Sequence, residues 1–249
     1  MNNSGYKFTL FLLFFGLIGG IFTSIYSIDS LSPELLAEVQ EQLGSTDLLL
    51  IISTIQSLSY SVILGLAGKY LAKKVRLWKE ELTFEKKPLL VAGLVSIVAG
   101  ASLILFDILI FNRFSEVIKE SYNAKPTFTY LMASLTYGGV VEEVMLRLFL
   151  MSLLSFLLYK LFAKHKNEVP TVIFIIANVI SALLFAAGHL PATAAMMSLT
   201  PAILIRCFLL NGGAGLFFGR LYRKYGIQYA MLAHIGCHIV SKLIWVVFL

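Results

Sequence analysis

The chain has 249 residues, 58% of them hydrophobic and 14% charged, with a formal charge of +6. Soluble domains carry about 45–50% apolar and about 25% charged residues, so this composition, with a mean hydropathy of +0.85, excludes an ordinary soluble domain. The positive charge sits in short loops beside apolar runs rather than on one face, which argues against a nucleic-acid partner.

In chain order, apolar runs cover residues 8–28, 48–71, 88–111, 127–162, 171–190, 201–221 and 227–249. Each is near or above the roughly 20 residues that a helix needs to cross about 30 Å of hydrocarbon. None alternates as a barrel strand would. The fold class expected is all-α, a polytopic transmembrane helical bundle. The first run has no clear small-x-small site at its end and is read as a helix, not a cleaved signal.

The loops orient the bundle. Residues 29–47 contain Asp29, Glu34, Glu38, Glu41 and Asp47 and no Lys or Arg, whereas residues 69–87 contain seven Lys or Arg. The first loop is expected outside and the second inside, with the N-terminus cytoplasmic. Residues 160–168 (Lys160, Lys164, Lys166) and 220–224 (Arg220, Arg223, Lys224) are expected inside, and residues 190–200, without Lys or Arg, outside. Residues 112–126 are mixed. The chain thus reads as a multi-pass protein of the cell membrane. Ser32-Pro33-Glu34 is a start signal for a short helix in the first loop.

Residues 127–162 are too long for one crossing, about 54 Å if wholly helical. The pair Gly138-Gly139 is the expected break, kink or helix start, which gives seven or eight spans. The chain divides into N-terminal transmembrane helices, residues 1–126, and a core, residues 127–249, that carries the chemistry. Cys207 and Cys237 lie in apolar segments and read as small buried residues without a disulfide framework.

Ionisable side chains in hydrocarbon are expensive and mark function by default. Asp107, Glu142, Glu143, Arg147, Arg206 and Lys242 fall in apolar segments, as do His189, His234 and His238. Glu143 and Arg147 are four apart on a helix and share a face, whereas Glu142 lies about 100° round it. Phe185 and His189 are also four apart, so the ring can pack on the imidazole. His234 and His238 share a face at the spacing zinc helices use. Gly215 and Gly219 have small-xxx-small spacing and predict close helix packing, with Asn211 beside them.

The order of Glu142-Glu143-Val-Met-Leu-Arg147, Phe185-Ala-Ala-Gly-His189, the glycine-spaced helix with Asn211, Gly215 and Gly219, and His234-Ile-Gly-Cys-His238 resembles the CPBP family. These are the CAAX-protease and bacteriocin-processing intramembrane proteases, also called Abi. The resemblance covers residues from about 135 to 240. It implies hydrolysis of a peptide bond in a membrane-associated protein or peptide precursor. Carried over residue by residue, Glu142 is the general base that activates water and His189 helps hold that water. His234 and His238 stabilise the oxyanion or ligate a metal, and Arg147 orients Glu142 and Glu143. The last polar position is often Asn in relatives and is His238 here. Glu142, His189, His234 and His238 therefore leave a zinc set, and a metalloprotease, open beside glutamate chemistry without a cofactor. Two other classes remain alternatives: an ion-coupled transporter, and a peptide-binding immunity protein without catalysis. The substrate is left open among a prenylated CAAX protein, a double-glycine leader peptide and a pheromone precursor.

One geometric demand follows from this topology. Glu142 and His189 stand about 20 residues, about 30 Å, from the cytoplasmic ends of their spans, but His234 only about 10 Å from its own. They can meet only if the spans ending at 162 and starting at 171 extend beyond the membrane, or if the last helix starts deep.

Overall fold

The computed structural model describes residues 3–80 and 83–249. Among them, seven helices are long and apolar enough to cross a membrane, and the chain is an all-α polytopic bundle. The spans are α1 (Gly5–Asp29), α3 (Thr46–Lys74), α4 (Lys86–Arg113), α6 (Phe128–Phe162), α7 (Thr171–Met196), α8 (Pro201–Tyr225) and α9 (Ile227–Phe248). Two short helices, α2 (Pro33–Leu43) and α5 (Glu116–Ser121), lie in loops. In α2 the Ser32 side chain accepts from the Leu35 N–H, and Gly44 closes the helix at φ 78°, as the start signal at Ser32 led one to expect.

Alternation of the spans puts the start of α1 and the α3–α4, α6–α7 and α8–α9 connections at one end, the basic end. Contacts there agree: Lys69 lies over the Phe8 and Trp78 rings, Arg76 pairs with Glu168, and Arg223 donates to the Thr171 hydroxyl.

Of the alternatives expected at Gly138-Gly139, the helix neither breaks nor starts there. Residues Phe128–Phe162 form one continuous span, so the count is seven. Widened turns, with i to i+5 hydrogen bonding, run from Ser134 to Glu142 and from Val144 to Met151. Such turns inside α-helices occur often at functional sites. The glycines serve packing: a Cβ at Gly139 would collide with Ile235 of α9, and one at Gly138 would stand 2.9 Å from His238 Nε2.

Two close helix pairs frame the rest. Ser57 and Ser61 of α3 donate to the Gly16 and Leu12 carbonyls of α1, both at 2.8 Å. Ser96 of α4 donates to the Ala233 carbonyl of α9 at 3.2 Å, and Gly100 lets Cys237 and Val240 approach. With the 233/237/240 face of α9 committed to α4, the face bearing His234 and His238 is left for the interior.

The start of α9 is recessed. Ile227, Gln228, Tyr229 and Ala230 are buried, and the Tyr229 hydroxyl accepts the Glu85 N–H and donates to the Thr83 carbonyl, each at 2.8 Å. The 35-residue α6 is meanwhile longer than a membrane crossing requires.

Candidate active site

Among the described residues, the intramembrane charges fall into two clusters, a separate acid, Glu142, and a lone cation. In the first, Glu143 is fully buried. Its Oε1 lies 3.0 Å from Arg147 Nη1, one turn on, and 2.9 Å from His234 Nδ1 of α9. The Glu143–Arg147 contact joins charges without the alignment of a hydrogen bond, and Glu143 Oε2 and both Arg147 Nη atoms have no hydrogen-bond partner among the described residues. Arg147 instead lies between two rings, Phe185 at 4.5 Å and Phe218 at 5.5 Å from their centroids. That is the stacking environment a weakly hydrated guanidinium tolerates. Gly215 makes this possible, since a Cβ there would come within 2.9 Å of Arg147 Nη2. The close packing expected at Gly215 and Gly219 is present, at Gly219 against Asn178, but at Gly215 it makes room for a charge.

The second cluster is Asp107, Arg206 and Tyr122. Arg206 grips Asp107 with two hydrogen bonds of 2.5 and 2.6 Å, and the Tyr122 hydroxyl donates to Asp107 at 2.8 Å. Burial, together with the Asp107 carboxylate, holds the Tyr122 phenol well above its usual range. The lone cation, Lys242, sits over the Tyr130 ring at 4.1 Å from its centroid.

Between these groups lies a cavity of about 350 Å³ whose walls are part polar and part apolar. Glu142, His189 and His238, from three different spans, all line it, and so do Asn211, Tyr137, Arg206 and Lys242. Around the position a Gly138 Cβ would take, His238 Nε2 is at 2.9 Å and Glu142 Oε2 at 3.9 Å, so carboxylate and imidazole face one spot. Glu142 has no hydrogen bond or ion pair among the described residues, in contrast with Glu143 beside it.

Local bonds set which nitrogen each histidine offers. His189 Nδ1 is 2.8 Å from the Phe185 carbonyl, four residues back, so that nitrogen carries the proton and Nε2 is presented. The Phe185 ring meets His189 edge-on, 4.8 Å between centroids. His234 is not among the residues that line the cavity. It is held by Glu143, stacked on Phe218 at 4.6 Å and on His238 at 4.9 Å. The i, i+4 spacing brings both imidazoles to one face, but only His238 reaches the cavity.

His234 gives one nitrogen to Glu143, and its ring is nearly parallel to that of His238, at 26°. Among the described residues, no three His, Cys, Asp or Glu side chains are grouped so as to hold a metal ion.

Several walls were not legible as site residues. Thr23, Tyr26, Leu103, Ile104, Tyr122 and Tyr137 line the cavity, yet each reads in sequence as an ordinary membrane-helix or loop residue. Cys207 and Cys237 are buried free thiols, as expected.

Residues 124–240 match the model of a protein family described as Rce1-like, type II CAAX prenyl endopeptidase Rce1-like. The match spans all the motif residues named above. No curated protein and no solved structure matches the chain.

Proposed function

Starting from a chain that carries an Rce1-like CAAX-protease segment, a family of intramembrane endopeptidases, we propose that it hydrolyses a peptide bond in the cavity with Glu142 as general base. The observation that carries this reading is the division of labour between adjacent acids. Glu143 is tied to Arg147 and His234, whereas Glu142 faces the cavity unpaired, beside His189 and His238.

A water between Glu142 and His189 gives its proton to the Glu142 carboxylate as its oxygen attacks the scissile carbonyl carbon. His189 Nε2, presented because Nδ1 is held by Phe185, accepts the water's other proton in a hydrogen bond and fixes its direction. The carbonyl oxygen becomes an oxyanion and takes a hydrogen bond from His238, which is worth more in a site where bulk water is scarce. The tetrahedral intermediate then breaks its C–N bond, and the proton held by Glu142 passes to the leaving amine. Glu143, Arg147 and His234 are positioning residues: Arg147 holds Glu143, Glu143 holds His234, and His234 supports the ring of His238. Residues 127–249 supply these groups, and the helices before them complete the cavity wall. No cofactor enters this scheme.

The test is cleavage of a peptide library by purified protein, with and without a chelator. Cleavage that survives chelation and disappears in Glu142→Gln supports glutamate chemistry. No cleavage of any peptide would remove the protease reading, and cleavage lost on chelation would restore the zinc alternative.

A further inference from the structure

Charge is distributed unevenly between the two ends of the bundle. Of the 20 Lys and Arg, 14 fall in residues 1–7, 69–87, 160–168 and 220–224, all at the basic end. The loop after α1 carries five acids and no Lys or Arg. Excess Lys and Arg in short loops marks the cytoplasmic side.

The cavity belongs to the opposite end. Its walls come from the last turns of α1 and α4, the first half of α6, the end of α7, the start of α8 and the second half of α9. Tyr26, Tyr122, Thr193 and Trp245 stand towards that far end. From Glu142 towards the basic end the bundle is packed shut. Val144, Leu148, Met151, Phe218 and Tyr222 are each at most 1% exposed, and Ser152 and Tyr222 close the layer with a 2.8 Å hydrogen bond. An apolar groove of about 670 Å³ does open at the basic end, between α1 and α9, and reaches Val140 and Ile235. Neither Glu142 nor His238 lines it, and Ile235 presses on Gly139 between the two spaces.

We propose that the cavity opens to the non-cytoplasmic side, and that the substrate is a peptide segment presented there: a secreted, membrane-associated peptide or the outward-facing end of a membrane protein. The substrate class rests on the protease reading; the side of access rests on charge and packing alone. A cytosolic protein tail would face the plugged end of the bundle and not the cavity.

Two measurements test this and fail separately. In the first, Ala124→Cys and Lys164→Cys, both at exposed positions, are treated in intact cells with a membrane-impermeant maleimide. Wild type is the blank, because Cys207 and Cys237 are buried. Labelling of Ala124→Cys in intact cells, with Lys164→Cys labelled only after permeabilisation, is expected; the reverse pattern overturns the proposal. In the second, sealed vesicles of known orientation receive an impermeant peptide library. Right-side-out vesicles should cleave it directly and inside-out vesicles only after detergent. Cleavage by inside-out vesicles alone overturns the proposed side and leaves the protease reading standing. Absence of cleavage in vesicles and detergent alike overturns the protease reading, while the labelling still decides the side.

Discussion

Replacing Arg147 with Ala removes the one cation paired, among the described residues, with the fully buried Glu143 carboxylate. Breaking a buried ion pair from one side costs about 3–5 kcal/mol, because the remaining charge is left without compensation. Glu143 keeps its hydrogen bond from His234 Nδ1, which puts the expected loss near the bottom of that range. The two ring contacts that Arg147 makes with Phe185 and Phe218 are lost as well, and a desolvated contact of this kind is worth up to about 2 kcal/mol. A total of about 3–5 kcal/mol follows, or a fall of roughly 6–20 °C in Tm for a chain of this size. The assay is thermal unfolding in detergent, read alongside peptide cleavage at a temperature where the variant is still folded. A second variant separates the pair from its partners: Arg147→Met together with Glu143→Gln removes both charges and should regain most of the stability. Turnover should remain low, since a neutral amide in place of the Glu143 carboxylate would hold His234 less firmly. An Arg147→Ala protein with wild-type Tm and turnover would refute both the pairing energetics and the positioning role.

Three further outcomes are expected. Glu142→Gln should lower kcat by about 10²–10⁴ without lowering Tm, since it removes no ion pair; retained turnover would reassign the base. His238→Ala should cost about 10²–10³ in kcat, whereas His238→Asn, which can still donate, should retain much more; stoichiometric zinc in the wild type, lost in His238→Asn on metal analysis, would contradict this. Gly138→Ala should slow single-turnover cleavage, since its Cβ enters the space faced by His238 Nε2 and Glu142 Oε2, and should cost about 1–3 kcal/mol of stability by overpacking; unchanged rate and Tm would mean that this space is not used.

The spans and their count within one were legible because hydrocarbon imposes a simple length and polarity rule on the sequence. Glu142, His189, His234 and His238 are expected around one cavity for a related reason, the cost of leaving each facing lipid; the first two and His238 line it, and His234 does not. What the sequence hid depends on contacts between distant segments. Gly138-Gly139 reads as a helix breaker, but the closeness of Ile235 and His238 turns it into a widened stretch of one helix. Asp107 and Arg206 are 99 positions apart, and no local spacing announces their pairing. His234 and His238 look equivalent in sequence; only Glu143 and Phe218, which claim His234, distinguish them.

The recessed start of the last helix makes a connection at the basic end into a spacer for the cavity. Tyr229 is clamped to the backbone at Thr83 and Glu85, and His234 and His238 follow it on the same unbroken helix, about 7 and 14 Å further along. The height of the imidazole that faces Glu142 is thus set from a strap that touches neither. Lengthening that strap would slide His238 along the bundle relative to Glu142, much as moving one jaw of a caliper changes the gap without altering either face.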